Sequence, residues 1–219
     1  MVEDSIEVLE LAIEILEAVA TLAGDLFFSD ITANLTYRMD AGGSIAVWRE
    51  NTQGTNGMYL MADGRFVAAE SRARRIVGID AVTKGVTPLA TAYQGMPLRN
   101  PNDLIADSKG GIYFTDPPPR QAALSGEVYY VRPSGEVVLL DNQIRFPNGL
   151  SLSIDQKTLY VDDSDSDNVY AFDVQQDGTV RNKRVYAKVR ELVTDQFGTR
   201  SRADGMAIDS AGRLYLGTA

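Results

Sequence analysis

Short runs of alternating apolar and polar residues make up most of the chain after residue 24, each bounded by Gly, Pro, Asn or Asp. This pattern is typical of short antiparallel strands joined by tight turns. Before residue 24, apolar residues instead recur every three or four positions after Ser5, with acidic residues between them. That spacing predicts an amphipathic helix with Ser5 as its N-cap. We therefore expect an N-terminal helical segment, 1–22, followed by a β-rich domain, 23–219.

A turn followed by an apolar-aromatic strand recurs five times, at intervals of roughly 40 to 55 residues. The five segments are AGDLFFSD (23–30), ADGRFVAAE (62–70), SKGGIYFTD (108–116), DQKTLYVDD (155–163) and SAGRLYLGT (210–218). Each of the first four is followed by a second strand-like run. A repeat of this length with several short strands predicts the blades of a β-propeller.

The number of repeats predicts an incomplete ring. A six-bladed ring at this spacing would need roughly 280 residues, and the chain has 219. We therefore expect an all-β, six-bladed type of propeller that is incomplete, with about five blade openings and a short N-terminal helix. The exposed strand edges of such a ring would favour self-association.

The composition restricts the chemistry of any site. The chain has no His and no Cys, and its 21 Lys and Arg against 30 Asp and Glu give a formal net charge of −9. Ser-His-Asp triads, thiolate nucleophiles and zinc sites built from Cys or His are excluded. Oxygen-rich side chains favour hard cations such as Ca²⁺ or Mg²⁺.

Charge and hydropathy also predict the surroundings of the protein. The acidic balance argues against a nucleic-acid partner, because phosphate backbones need a basic surface. No apolar stretch reaches the roughly 20 residues of a membrane span. The N-terminus is acidic, whereas a secretory signal would be basic. We therefore expect a cytoplasmic protein with neither nucleic-acid nor membrane partners.

Four polar motifs lie at one recurring place, just before the strand openings: TNGM (55–58), NPNDLIAD (100–107), FPNGLSLS (146–153) and ADGMAID (203–209). Equivalent strand starts of propeller blades gather at one end of the channel, so we expect Asn56, Asn102, Asn148 and Asp204 to converge. Three amides and a carboxylate would form an oxygen cage for a hard cation. The alternative is that each Asn-Gly or Asp-Gly pair only forms a turn. Their shared place in the repeat favours the site.

Three of these segments resemble the gluconolactonase/regucalcin family, also called the senescence marker protein/luciferin-regenerating enzyme family. They are RNPNDLIADSKGGIYFTDPP, RFPNGLSLSIDQKTLYVDD and RADGMAIDSAGRLYLG, and the resemblance extends from about Asp25 to the C-terminus. It implies a six-bladed propeller with one divalent cation at the channel mouth. Ca²⁺ is the first choice, with Mg²⁺, Mn²⁺ or Zn²⁺ as alternatives. It also implies hydrolysis of a small-molecule sugar lactone or related cyclic ester.

The resemblance implies roles for individual residues. Asn148 and Asp204 correspond to cation ligands, and Asp204 also to the base that activates water. Asn102 corresponds to a contact with substrate or cation-bound water, and Asn100 to a substrate contact that is often Arg in the family. The family's third ligand is a Glu that opens an E-G-P-x-W segment, a motif absent here. Counting back from the first strand reaches Glu17, which also fits the acidic face of the predicted helix.

The leading interpretation is a divalent-cation-dependent lactonase. A non-catalytic ligand-binding propeller, or an inactive fragment that has lost part of the cation site, is the alternative favoured by the absent E-G-P-x-W motif and the short C-terminus. A phosphotriesterase-like hydrolase with the same oxygen cage is a third interpretation.

Other polar residues have weaker sequence signals. The run DDSDSDN (162–168) resembles the start of an EF-hand loop but lacks its Gly and Glu, so we expect a solvated loop. Glu70 and Asp116 end strands and are candidates to face the channel. Trp48 is expected to pack in the core.

Overall fold

The computed structural model describes residues 16–22, 24–120, 122–189 and 203–218, the first of these ranges as backbone only. These residues form antiparallel sheets, and every strand pair within the described ranges is antiparallel.

Four of the sheets have four strands each, and two have two strands. The first sheet contains β1 (Leu16–Leu22), β2 (Asp25–Asp30), β3 (Leu35–Met39) and β4 (Ile45–Glu50). The second contains β5 (Thr55–Leu60), β6 (Phe66–Glu70), β7 (Arg75–Ile79) and β8 (Val86–Ala90), and is followed by a hairpin of β9 (Ala92–Tyr93) and β10 (Met96–Pro97). The third contains β11 (Leu104–Ala106), β12 (Ile112–Asp116), β13 (Gly126–Val131) and β14 (Val137–Ile144). The fourth contains β15 (Pro147–Leu152), β16 (Thr158–Asp163), β17 (Asn168–Val174) and β18 (Val180–Lys188). The last sheet pairs β19 (Ala203–Ile208) with β20 (Leu214–Thr218).

The larger sheets are arranged as propeller blades. Within each one, the chain passes through the strands in sequence order. The first strands of successive sheets contact one another, β1 with β5, β5 with β11, β11 with β15, and β15 with β19. Meanders whose first strands surround a common centre are the blades of a β-propeller. The predicted all-β propeller class is confirmed, whereas the number of blades in the complete ring stays a prediction.

The five sequence repeats correspond to the turns that lead into the second strands. Their aligned residues lie in β2, β6, β12, β16 and β20. All five turns hold a residue in the left-handed region: Gly24 (φ 89°), Gly64 (85°), Gly110 (88°) and Gly212 (80°), each two residues before the aligned strand residue, and Gln156 (56°), three residues before it. Glycine adopts this conformation without a Cβ penalty. The turn with Gln156 is also the repeat that matches the others most loosely.

The predicted N-terminal helix is wrong for Leu16–Leu22, which form strand β1 and pair with β2. The apolar residues of this segment are compatible with a helix or with a strand. Pairing with β2 satisfies the backbone hydrogen-bonding groups along the edge of that strand. This gain overrides the local helix propensity. The rest of the predicted helix lies outside the described residues. No helix with the length and apolar character needed to cross a membrane occurs in the part of the chain that the structure describes.

Apolar side chains fill the spaces between neighbouring sheets. Between the first two sheets, the rings of Phe27, Trp48 and Phe66 meet edge-on or tilted, with centroids 4.9–5.2 Å apart. Trp48 is 8% exposed, so its predicted place in the core is confirmed. Two further clusters lie between the second and third sheets and between the third and fourth. These contacts fix the spacing of the first strands around the centre.

Candidate functional site

The first strands of the second, third, fourth and last sheets (β5, β11, β15 and β19) line a cavity of about 720 Å³. Asn56, Asn102, Asn148 and Asp204 all lie on its wall, although they are far apart in the sequence. The structure therefore brings together the four residues that were expected to converge. Their individual chemical roles stay predictions.

Asn148 and Asp204 form the polar centre of this cavity. The Nδ2 of Asn148 donates to Oδ1 of Asp204 over 2.9 Å and to Oγ of Ser164 over 3.1 Å. Asn148 is only 4% exposed. Its Oδ1 is buried and has no hydrogen-bond partner among the described residues. A buried amide oxygen without a donor is costly unless a ligand satisfies it.

The glycines after Asn56 and Asn148 are required by close approach between neighbouring sheets. A Cβ at Gly149 would lie 2.1 Å from the backbone oxygen of Asp204, and a Cβ at Gly57 would lie 2.6 Å from Oδ1 of Asp103. Both glycines lie within strands, β15 and β5. The alternative explanation, that these Asn-Gly pairs only form turns, is therefore wrong for both.

Two buried carboxylates hold the segments that carry the site residues. Asp116 accepts hydrogen bonds from the amides of Arg99, at 2.8 Å, and Asn100, at 2.6 Å. Asp163 accepts one from the amide of Phe146 over 2.9 Å. Both aspartates end the second strand of their sheet. They fix the backbone just before Asn102 and Asn148.

Glu70 also has a structural role, as part of a buried ion-pair network. Its carboxylate is fully buried and pairs with Arg49 and with Arg75, each over 2.6 Å. Neither Glu70 nor Asp116 is among the described residues that line the cavity. Both side chains therefore stabilise the walls of the propeller.

The structure does not show the side chain of Asn100 or of Glu17 on the wall of the cavity. Asn100 is held through its backbone amide by Asp116 and is not among the described residues that line the cavity. Glu17 lies in β1, next to an irregularity in the pairing with β2, and its side chain is outside the described atoms. The role predicted for each of them stays a prediction.

Two buried carboxylates near the site were missed from the sequence: Asp103, and Asp162, which is not among the described residues that line the cavity but has its Oδ2 close to Gly149. Asp103 follows Asn102 directly and lines the cavity. Its carboxylate accepts hydrogen bonds from the amides of Leu104, at 2.8 Å, and Leu150, at 3.3 Å. Burial raises the pKa of Asp103 to about 7, with a smaller contribution from the negative charge of Asp204. Its place in N-P-N-D was the signal that could have identified it.

Asp162 belongs to the run 162–168 that was expected to be a solvated loop, and that expectation is wrong for its first residues. Asp162, Asp163 and Ser164 are at most 3% exposed. Burial raises the pKa of Asp162 well above its ordinary value, and the charges of Asp204 and Asp103 raise it further. The sequence pattern of the run 162–168 does not show which of its aspartates are buried in the folded protein.

The pKa of Asp204 is also raised by burial, while its hydrogen bond from Asn148 and the positive charge of Arg120 act in the opposite direction. The guanidinium of Arg120 lies over the ring of Phe146, 4.4 Å from its centroid. The raised pKa brings Asp204 nearer to the range in which a carboxylate can accept a proton from water.

The donor atoms suit a hard cation. Among the described residues, no three Asp, Glu, His or Cys side chains form a group that could hold a metal ion. An amide oxygen can complete a smaller set of carboxylates, and the unpartnered Oδ1 of Asn148 lies in the residue that contacts Asp204. Amide and carboxylate oxygens are the ligands that Ca²⁺ and Mg²⁺ prefer.

Comparisons with known proteins identify relatives of this chain. The family model described as SMP-30/Gluconolactonase/LRE-like region matches residues 18–219. A gluconolactonase from Zymomonas mobilis is 32% identical over 216 residues, covering 87% of this chain and 60% of that protein. A gluconolactonase structure from Xanthomonas campestris superposes with a TM-score of 0.79 at 29% identity, covering 93% of this chain and 69% of that one. A calcium-binding protein, regucalcin, from Agrobacterium tumefaciens has a TM-score of 0.76 at 19% identity, covering 92% and 66%, and shows the fold alone.

These similarities agree with the residues that the propeller gathers around its cavity. The chain spans 60% of the length of the Zymomonas gluconolactonase. The family model matches nearly the whole of the present chain. The chain belongs to the SMP-30/gluconolactonase/LRE-like family.

Proposed function

We propose that this protein is a divalent-cation-dependent hydrolase that opens a sugar lactone or a related cyclic ester. The observation that carries the proposal is the contact of Asn148 with Asp204 inside the cavity, in a chain of this family. The relatives named gluconolactonase support the substrate class. Ca²⁺ is the first choice of cation, because the donors are oxygen atoms, with Mg²⁺, Mn²⁺ or Zn²⁺ as alternatives.

Asn148 and Asp204 would hold the cation, and Glu17 remains a third candidate ligand. A bound divalent cation polarises a carbonyl oxygen and lowers the pKa of a water molecule. The remaining chemistry belongs to the side chains. Asn148 orients the carboxylate of Asp204 through its 2.9 Å hydrogen bond.

Asp204 is the proposed general base. It takes a proton from the attacking water as the water oxygen bonds to the lactone carbonyl carbon. The bond from that carbon to the ring oxygen then breaks, and the ring oxygen takes up a proton to become a hydroxyl. The net change is addition of one water to give a hydroxy acid.

Asn102 is the proposed substrate contact. Its backbone is fixed on both sides, since its amide donates to Thr115 O over 2.9 Å and its carbonyl accepts from Gly57 over 2.7 Å. An amide side chain on a fixed backbone can donate a hydrogen bond to the substrate oxygen that becomes negative during attack. Asn100 is proposed to contact the substrate farther from the reacting carbon.

The proposal is tested by replacing Asp204 with Asn, which keeps the shape and removes the base. We expect lactone opening, followed by proton release, to fall by about 100-fold or more. Asp209→Asn is the matched control, because Asp209 caps the turn after β19 and accepts hydrogen bonds from the amides of Ala211 and Arg213. Full, chelator-sensitive activity in Asp204→Asn would contradict the assignment. Cation binding without any turnover by the unaltered protein would support a non-catalytic binding propeller instead.

A further inference from the structure

Asp162 is a fully buried carboxylate at the end of β16. Neither of its oxygens has a hydrogen-bond partner among the described residues. The amide of Gly149 is close enough to favour the charged form but makes no hydrogen bond of ordinary geometry. The nearby carboxylates of Asp103 and Asp163 differ, because each accepts hydrogen bonds from backbone amides. Within the described part of the chain, Asp162 is therefore a fully enclosed carboxylate that accepts no hydrogen bond of ordinary geometry.

A β-bulge in the fourth sheet lies directly opposite Asp162. In the pairing of β15 with β16, Pro147 lies opposite Asp163 and Leu150 lies opposite Val161. Two residues, Asn148 and Gly149, therefore face the single residue Asp162. Bulges of this kind re-aim side chains and are common beside active sites. Here the bulge places both Asn148 and Gly149 opposite Asp162, with Oδ2 of Asp162 next to Gly149.

Asp204 approaches the same point from the neighbouring sheet. A Cβ placed on Gly149 would lie 2.7 Å from Oδ2 of Asp162 and 2.1 Å from the backbone oxygen of Asp204. The side chain of Asp204 contacts Nδ2 of Asn148. Asn148, Asp162 and Asp204 thus surround Gly149.

Unpartnered oxygen atoms on residues that face each other across the bulge indicate a positively charged ligand. Both oxygens of Asp162 and Oδ1 of Asn148 are buried without donors among the described residues. Enclosing a carboxylate without a partner is far more costly than enclosing a neutral polar group. A hard cation binds several oxygen atoms at once and compensates the charge.

We propose that Asp162 is a further protein ligand of the cation, together with Asn148 and Asp204. The inference rests on the proposed function only in taking the cation from it. It assigns Asp162 to cation binding, and Asp204 keeps the proposed role of base. Asp103 is not assigned as a ligand, because the amides of Leu104 and Leu150 already stabilise the charge of its carboxylate.

The test is calorimetric titration of the chelator-stripped full chain with Ca²⁺. We expect one Ca²⁺ to bind per wild-type chain. The Asp162→Asn variant should bind Ca²⁺ about tenfold or more weakly, because ligand charge sets calcium affinity. Without Ca²⁺ its melting temperature should equal or exceed that of the wild type, since a buried charge has been removed. Asp162→Ser serves as the second variant if the first does not fold.

Asp155→Asn is the matched control, because Asp155 is exposed in the turn between the same two strands. It should bind Ca²⁺ as the wild type does. Wild-type affinity in a folded Asp162 variant would overturn the inference, as would no Ca²⁺ binding by the wild type or an equal loss in Asp155→Asn. Lactone opening is measured separately. Cation binding that depends on Asp162 without lactone opening would leave the inference standing and reject only the lactonase.

Discussion

At the residue scale, the site depends on glycines as much as on the polar groups beside them. Gly149 lets the backbone oxygen of Asp204 approach a distance that any Cβ would prevent, and Gly57 does the same for Asp103. The close approach brings side chains from neighbouring sheets into one cavity. The two Asn-Gly pairs are therefore explained by packing around the channel.

Replacing Gly149 with Ala should lower the free energy of unfolding by about 2 kcal/mol or more, because backbone atoms of Asp204 must move. Urea unfolding measures this change. Gly205→Ala is the control, because no neighbouring atom lies within 4 Å of a Cβ built there. We expect its effect to stay within about 0.5 kcal/mol. Equal effects of the two substitutions would show that the close approach is not what requires Gly149.

The sequence was informative about residues wherever a motif carried the chemistry. N-P-N-D, F-P-N-G and A-D-G identified Asn102, Asn148 and Asp204, which share one cavity in the structure. Asp162 was missed because its burial depends on a bulge in β15 and on a neighbouring sheet, and no local pattern reports either. Enclosed carboxylates are a property of packing.

At the element scale, the segments that carry Asn102 and Asn148 are each held by an aspartate at the end of the strand that follows. Asp116 binds two amides before Asn102, and Asp163 binds two before Asn148, those of Arg145 and Phe146. The repeat therefore preserves a supporting contact as well as a strand pattern. Periodicity located the second strands correctly but gave a helix where β1 forms, because the edge of β2 that β1 covers is not visible in local spacing.

Asp116→Ala should leave the partly buried amides of Arg99 and Asn100 without an acceptor, which costs at most about 1–3 kcal/mol for each group. Hydrogen exchange of these two amides should become faster. Asp80→Ala is the control, because Asp80 also accepts hydrogen bonds from two backbone amides, those of Val82 and Thr83. Asp80 is exposed, so water can replace its carboxylate as the acceptor. An equal loss of stability in both variants would contradict the supporting role of Asp116.

At the scale of the whole molecule, the propeller concentrates negative charge around its centre. Asp103, Asp162 and Asp204 all have a pKa raised mainly by burial. Exposed aspartates such as Asp63 and Asp155 have a lowered pKa, because hydrogen bonds favour their charged form. The two groups therefore affect stability in different ranges of pH.

The cation-free protein should lose stability as the pH rises from about 5 to 8. Carboxylates with a raised pKa stabilise the fold while protonated, and this contribution disappears as the pH passes through their folded-state pKa, about 7 for Asp103. Exposed aspartates are already ionised throughout this range and contribute a constant amount. Urea unfolding in the presence of a chelator measures the trend, and saturating Ca²⁺ should flatten it. Stability that rises with pH without a cation would contradict this description of the site.

The cavity around Asn148 and Asp204 is proposed to bind a divalent cation and to open lactones. The most direct measurement is the rate of proton release from a sugar lactone by the chelator-stripped protein, with Ca²⁺ then restored in steps. We expect negligible turnover without the cation and a recovery of turnover that saturates at one Ca²⁺ per chain. Turnover at full rate in the stripped protein, or none at saturating Ca²⁺, Mg²⁺, Mn²⁺ and Zn²⁺, would contradict it.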